Sequence, residues 1–430
     1  MDEIMSADDE LNYRLHEMNM STERPLYSRP KIQIVANDLR ERTDYKSHYL
    51  PTIVSMGPIH HGNPELQIGE EYKLIWAKKY IQKAGTDSKD LHRKIVDNLA
   101  TLKSFFADDV LTMASNTIGN FRSFDQKLTW MLFVDGYSLL YILDIDNDFE
   151  NEETIMKLVS RDVLLLENQL PLGLLYLLAN DGKNRLNLME RIIRFLKFNH
   201  VVSSGYKLLN ETPTHLLDLV REMLLPNHEH KITVHQNLRR RERISNSVVR
   251  YMNIQELKSN GIRIKSSESS IIDMSFSHRW LIGELTLPEI VLDDLTISIF
   301  LNLIAYEMCP DFRNDYGIST FLAFINSLIR VPEDVKDLRL AGILFSNYGT
   351  DDELIKLFHF ITTDVVSNAK SYSHLFGKIN KHMANKWKTK TVRFLRYIRH
   401  PWTNFAVHAT ELALALAVIQ TWFTVNPVKS

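Results

Sequence analysis

The chain has 430 residues, with 51 Lys and Arg against 53 Asp and Glu, and a single cysteine. Its 44% hydrophobic and 24% charged content exclude wholesale disorder, and a net charge of -2 excludes a generally basic nucleic-acid binder. Cys309 alone closes no internal disulfide and builds no thiolate zinc site, and 15 glycines, about half the usual ~7%, disfavour glycine-rich phosphate-cradling loops.

Residues 1–30 read as a disordered arm. They are acidic over 1–10 and lack sustained periodicity, and no basic segment leads into an apolar run, so no secretory signal peptide is expected. Ile32, Ile34 and Leu39 lead to Leu50-Pro51 and on to Gly57-Pro58, an extended stretch closed by a turn. Helical period then dominates. Tyr72, Ile75, Trp76, Lys79 and Tyr80 mark one face of a helix over 70–83. Further helices are expected over 90–114, 125–143, 153–178, 186–198, 214–224, 246–259, 296–308, 320–329 and 351–368. Segments 261–265, 271–276 and 281–291 carry β-branched residues between turns and read as strands. Residues 227–243, polar throughout, read as an exposed loop. The chain is thus mainly α: a helical domain over 31–400 with a small β section at about 261–291, then a C-terminal hydrophobic helix within 401–430.

The C-terminus suggests a membrane anchor. No acidic residue occurs over 365–410, which holds nine Lys or Arg, and an apolar run then extends from Phe405 to Val425. As a helix, those residues span about 31 Å, a bilayer core. Trp402, Trp422 and Phe423 sit toward its ends, and the basic flank places the body in the cytosol. His408, Glu411 and Gln420 oppose this reading, since a carboxylate within a span costs about 2.5–3.5 kcal/mol.

Candidate chemistry is sparse. His60-His61 has no carboxylate at ligand spacing nearby in the sequence, which favours a structural or capping role. His228, His230 and His235 lack helical zinc spacing and read as a solvated loop, as do Arg239 to Arg241 with Arg243. Asp144, Asp146 and Asp148 open like a calcium loop, but Phe149 and Ile155 replace its required Gly and Glu. Cys309 reads as a buried thiol. Asp135 and the run Glu167-Asn168-Gln169 lie inside apolar segments, where polar groups are costly unless paired, so they are expected to be buried and bonded to the backbone. No catalytic, cofactor-binding or metal-binding residue is assigned, and no P-loop, G-x-S-x-G or H-E-x-x-H occurs.

Several blocks in order nevertheless resemble a plant family, the domain of unknown function 247 (UPF0481 type). They are Tyr49-Leu50-Pro51 through Val54-Ser55-Met56-Gly57-Pro58-Ile59-His60-His61-Gly62, Met131 to Gly136, Asp162 to Pro171, Asn302 to Glu307, and Gly342-Ile343 with Asn347, Gly349, Asp351 and Glu353. Trp387 and Pro401-Trp402 complete them, with His400 where the family has Asn. The resemblance implies a predominantly helical plant protein, usually membrane-attached, without established enzymatic activity or cofactor; some grass members are implicated in pollen–stigma self-recognition. The expected function is therefore non-enzymatic: a membrane-attached recognition or signalling component. It would contact an unknown protein partner, hold lipid through residues 405–425 and bind no nucleic acid. It would be single-pass, possible at the plasma membrane. Two alternatives stand beside it: an enzyme using Asp135, Glu167 or the His60/His61 pair, and a soluble helical protein whose last helix docks on its own core.

Overall fold

The computed structural model describes residues 31–85, 87–144, 153–179, 185–202, 213–225, 252–267, 274–279, 282–310, 315–347, 349–363, 365–368, 371–384 and 401–425. The expected arm at 1–30, the 227–243 loop and the basic segment 386–399 lie outside these. In chain order the helices are α1 Asn37–Arg40, α2 Tyr45–Tyr49, α3 Gln67–Ala84, α4 Ser88–Asp97, α5 Leu99–Lys103, α6 Asp108–Ser115, α7 Phe124–Ile142, α8 Glu153–Asp162, α9 Leu172–Leu178, α10 Arg185–Phe198, α11 Leu216–Leu224 and α12 Ile254–Ser259. Strands β1 Ile262–Ser267, β2 Ser275–Arg279, β3 Ile282–Pro288 and β4 Ile290–Leu292 follow. The chain continues with α13 Asp294–Glu307, α14 Gly317–Leu328, α15 Pro332–Leu340, β5 Leu344–Ser346, α16 Asp351–Ile361, α17 Ser373–Ala384 and α18 Pro401–Val425. The fold is mainly α with a small mixed sheet section, as the periodicity indicates.

The chain divides into two compact units. One comprises residues 1–227, 292–320 and 364–368. Its centre is α7, apolar nearly all round and buried from Met131 to Ile142, as expected of a helix with no solvent stripe over that length. Ser123 Oγ caps it by accepting the Gln126 N–H. Helix α3 lies along α7, burying Gly69, Lys73, Trp76, Ala77 and Tyr80, a face rotated from the expected one: Ile75 is half-exposed. The expected helix over 90–114 is broken where Phe106 leaves to pair with Ile32, whose N–H donates to Phe105 O at 2.7 Å. The one expected over 153–178 ends at Asp162, and a second helix, α9, starts after Pro171 at its N-cap.

The other unit comprises residues 228–291, 321–363 and 369–430. In its three-stranded sheet β3 is central, parallel to β1 and antiparallel to β2. Helix α17 packs on β2, with the His382 ring edge-on to Phe276 at 5.8 Å. Thr350 and Glu353 form a reciprocal capping box at the start of α16, and Asp351 pairs with Arg339 at 3.0 Å.

The expected membrane anchor is not what the C-terminus builds. Helix α18 forms, and its 25 residues rise about 37 Å, so length is not the shortfall. Among the described residues, however, no helix is long and apolar enough to cross a membrane. His408, Glu411, Gln420 and Thr421 interrupt the run, and alanines supply much of the rest. The single-pass placement is therefore overturned. The side chains from His408 to Trp422 are exposed, so this part of the helix is not docked on a core either.

Candidate functional site

Two of the polar residues set inside apolar runs, Asp135 and Asn168, converge on one stretch, Thr52 to Gly57. Asp135, Glu167, Asn168 and Gln169 are each 1% exposed. Asp135 Oδ2 accepts the Gly57 N–H at 2.9 Å, and Asn168 Oδ1 accepts that of Met56 at 2.6 Å. Asn168 Nδ2 donates to Val54 O at 3.0 Å and to Asp162 O at 2.9 Å. Asp162, placed at the end of α8, takes the three preceding amides: its Oδ2 accepts from Thr52, Ile53 and Val54 at 2.9, 2.6 and 3.1 Å. The stretch, buried from Val54 onward, has no neighbouring strand to take its N–H groups, and these side chains satisfy them. Gln169 secures the other side of its own loop, donating to Val163 O and Leu165 O and accepting the Leu217 N–H at 3.0 Å. Replacing Asn168 by Leu should cost about 3 kcal/mol, read as a lower urea midpoint with unchanged secondary structure.

Beneath this stretch lies a buried cation. Lys73 Nζ donates to Asp135 Oδ1 at 2.6 Å and to Ser55 O at 2.8 Å, and pairs with Glu70 at 2.9 Å. Burial by itself pushes the Lys73 ammonium down, but Asp135 and Glu70 outweigh it, so its pKa lies above the ordinary lysine value. Burial pushes the Asp135 carboxyl up against the pull of Lys73. Two carboxylates on one ammonium decide for a charged Lys73.

Glu167 faces the surface side of the cluster. It accepts the Val35 N–H at 2.8 Å and the Tyr45 hydroxyl at 3.2 Å, pairs with Arg40 at 3.6 Å and lies 3.0 Å from His60 Nε2. His61 Nδ1 is 3.9 Å from Glu70, and burial lowers its pKa against the pull of Asp135 and Glu70. His60 thus meets a carboxylate far away in sequence, whereas His61 lies near Glu70 at the start of the next long helix. Among the described residues no group of three His, Cys, Asp or Glu could hold a metal ion. Asp144 is paired with Lys83 and Arg191, both at 3.2 Å. Cys309 is buried, its Sγ donating to Ala305 O. Asp146, Asp148, His228, His230, His235, Arg239 to Arg241 and Arg243 lie outside the described residues.

The later family-like blocks also serve the backbone. Asn302 Oδ1 accepts the Leu166 N–H at 2.8 Å while its Nδ2 donates to His48 O at 2.9 Å. Glu307 caps α14, accepting the N–H groups of Ile318 and Ser319 and pairing with Arg221 at 2.9 Å.

One residue that sequence reasoning missed is His215, fully buried at the N-cap of α11. Its Nδ1 accepts the Asp218 N–H at 3.1 Å, and its ring meets Tyr306 edge-on at 5.0 Å. Burial lowers its pKa to about 4, against the pull of Asp218. A proton on Nδ1 would face the amide it now accepts. Because the unfolded chain takes up that proton near pH 6.5 and the folded one only near 4, the contribution is present above 6.5 and lost as pH falls toward 4. The loss is about 3 kcal/mol. Urea unfolding at pH 7 and pH 4 checks it: His215→Asn, which caps without titrating, should lack this part of the acid sensitivity.

Comparison with known proteins places this arrangement. A UPF0481 protein of Arabidopsis thaliana is 25% identical over 408 residues, covering 87% of this chain and 82% of that one. A second UPF0481 protein of Arabidopsis thaliana is 22% identical over 474 residues, covering 86% of each. No solved structure matches. Residues 32–416 match the family described as plant protein of unknown function. That match spans most of the chain and includes every residue of the clasp around Thr52 to Gly57, and so the chain belongs to the plant family of unknown function DUF247.

Proposed function

We propose that this chain is a non-enzymatic recognition component acting through protein–protein contacts, with α18 as its recognition element. The observation that carries this reading is the surface of α18: Leu412, Leu414, Leu416, Val418, Ile419, Trp422 and Val425 are all more than half exposed. A contiguous apolar surface of that kind marks an interaction site on a folded protein. The chemistry of the clasp supports the same reading. A general acid or base must exchange protons with a substrate, whereas Asp135 and Glu167 are buried and accept backbone N–H groups.

The test compares the full chain with one ending at Thr403 as baits in plant extract. Discrete proteins retained by the full chain and lost from the shorter one are expected. Identical proteins on both baits would overturn the assignment to α18.

A further inference from the structure

Exposure on α18 is not confined to one face: Leu414, Val418 and Trp422 are 62%, 66% and 66% exposed, much like Leu412 at 67%, Leu416 at 57% and Ile419 at 51%. The placement of polar residues is more selective. Ala409, Leu412, Leu416 and Ile419 alternate in steps of three and four, and the sequence continues the alternation at Trp402, Phe405 and Phe423. That 3.5-residue period is that of the a and d positions of a coiled coil, sustained here for three heptads. All the polar residues between them, Thr403, Asn404, His408, Thr410, Glu411, Gln420 and Thr421, fall off this seam.

The flanking positions indicate what covers it. The e and g positions, where charges set partner choice, are Ala406, His408, Ala413, Ala415, Gln420 and Trp422. None is a carboxylate, lysine or arginine. A second copy therefore meets no like-charge repulsion along the seam, and a charged foreign helix finds no counter-charge to select it. Glu411 lies outside these positions, 3.2 Å from His408 of its own helix. We infer that α18 pairs with α18 of a second copy of this chain along the Ala409–Leu412–Leu416–Ile419 seam. The seam is self-complementary, as a two-fold interface requires.

This inference rests on α18 being the recognition element. Sedimentation equilibrium of the full chain at micromolar concentration tests it. Twice the chain mass is expected, while Leu412→Lys with Leu416→Lys should weaken association at least about tenfold, ~1.4 kcal/mol, and leave the melting temperature of the body unchanged. Leu414→Lys with Val418→Lys, off the seam, should keep the dimer. A monomeric full chain overturns the inference, as does equal weakening by both pairs, or a monomer that floats with phosphatidylcholine–phosphatidylserine vesicles. If the chain is monomeric while a different protein still requires residues 404–425 for capture, self-pairing fails and the recognition role stands. If nothing depends on that segment, both fail.

Discussion

Replacing Lys73 by Met is expected to cost about 3–5 kcal/mol, because it strands a buried carboxylate. Asp135 would keep only the Gly57 N–H and would face Glu70 without the intervening ammonium. The loss follows from the missing partner rather than from net strength in the ion pair, so the double variant Lys73→Met with Asp135→Leu should be more stable than Lys73→Met alone. Removing Asp135 orphans the Gly57 N–H in the double variant, which limits the recovery. Urea unfolding of the wild type, both single variants and the double closes the cycle. Additive losses would mean that the two side chains do not act as a pair.

Gly69→Ala should be at least as damaging. A Cβ there would stand 1.8 Å from Ile53 O and 2.8 Å from Ile53 C, backbone atoms held by the Asp162 clasp. Helix α3 approaches the clasped stretch closely because Gly69 has no side chain. The clash cannot be relieved by a rotamer, so α3 or the stretch must move, and loss of soluble expression or a fall of more than about 4 kcal/mol is expected. Gly57, at φ +74°, is strained for any other residue and lies against Gln169 O.

The sequence made these polar blocks legible as structural but not their shared target. Cost alone requires Asp135 and Asn168 to be paired inside apolar runs. That both bind the stretch after Pro51, 78 and 112 residues away, is a long-range fact with no local signature. Lys73 was missed for a different reason. A lysine in a helical pattern ordinarily marks the solvated face, and the true buried face includes it because Asp135 and Glu70 neutralise it. His215 likewise gave no signal, since histidine is not among the favoured N-cap residues. Helices with strong period, such as α7 and α10, were recognisable to within a residue or so, whereas 90–114 broke where Ile32 competes for Phe106. At the C-terminus, helix length and apolar character were read together, and only the first met the requirement for a span.

The central claim is that side chains, not a neighbouring strand, hold the backbone from Thr52 to Gly57. Amide hydrogen exchange on the full chain measures this directly. The amides of Thr52, Ile53, Val54, Met56 and Gly57 should exchange only through large-scale unfolding, close to the slowest helical amides of α7. In Asp162→Asn the first three should speed up selectively, as one carboxylate acceptor becomes an amide. Exchange of these five amides within seconds in the wild type, at the rate of an open loop, would contradict the account.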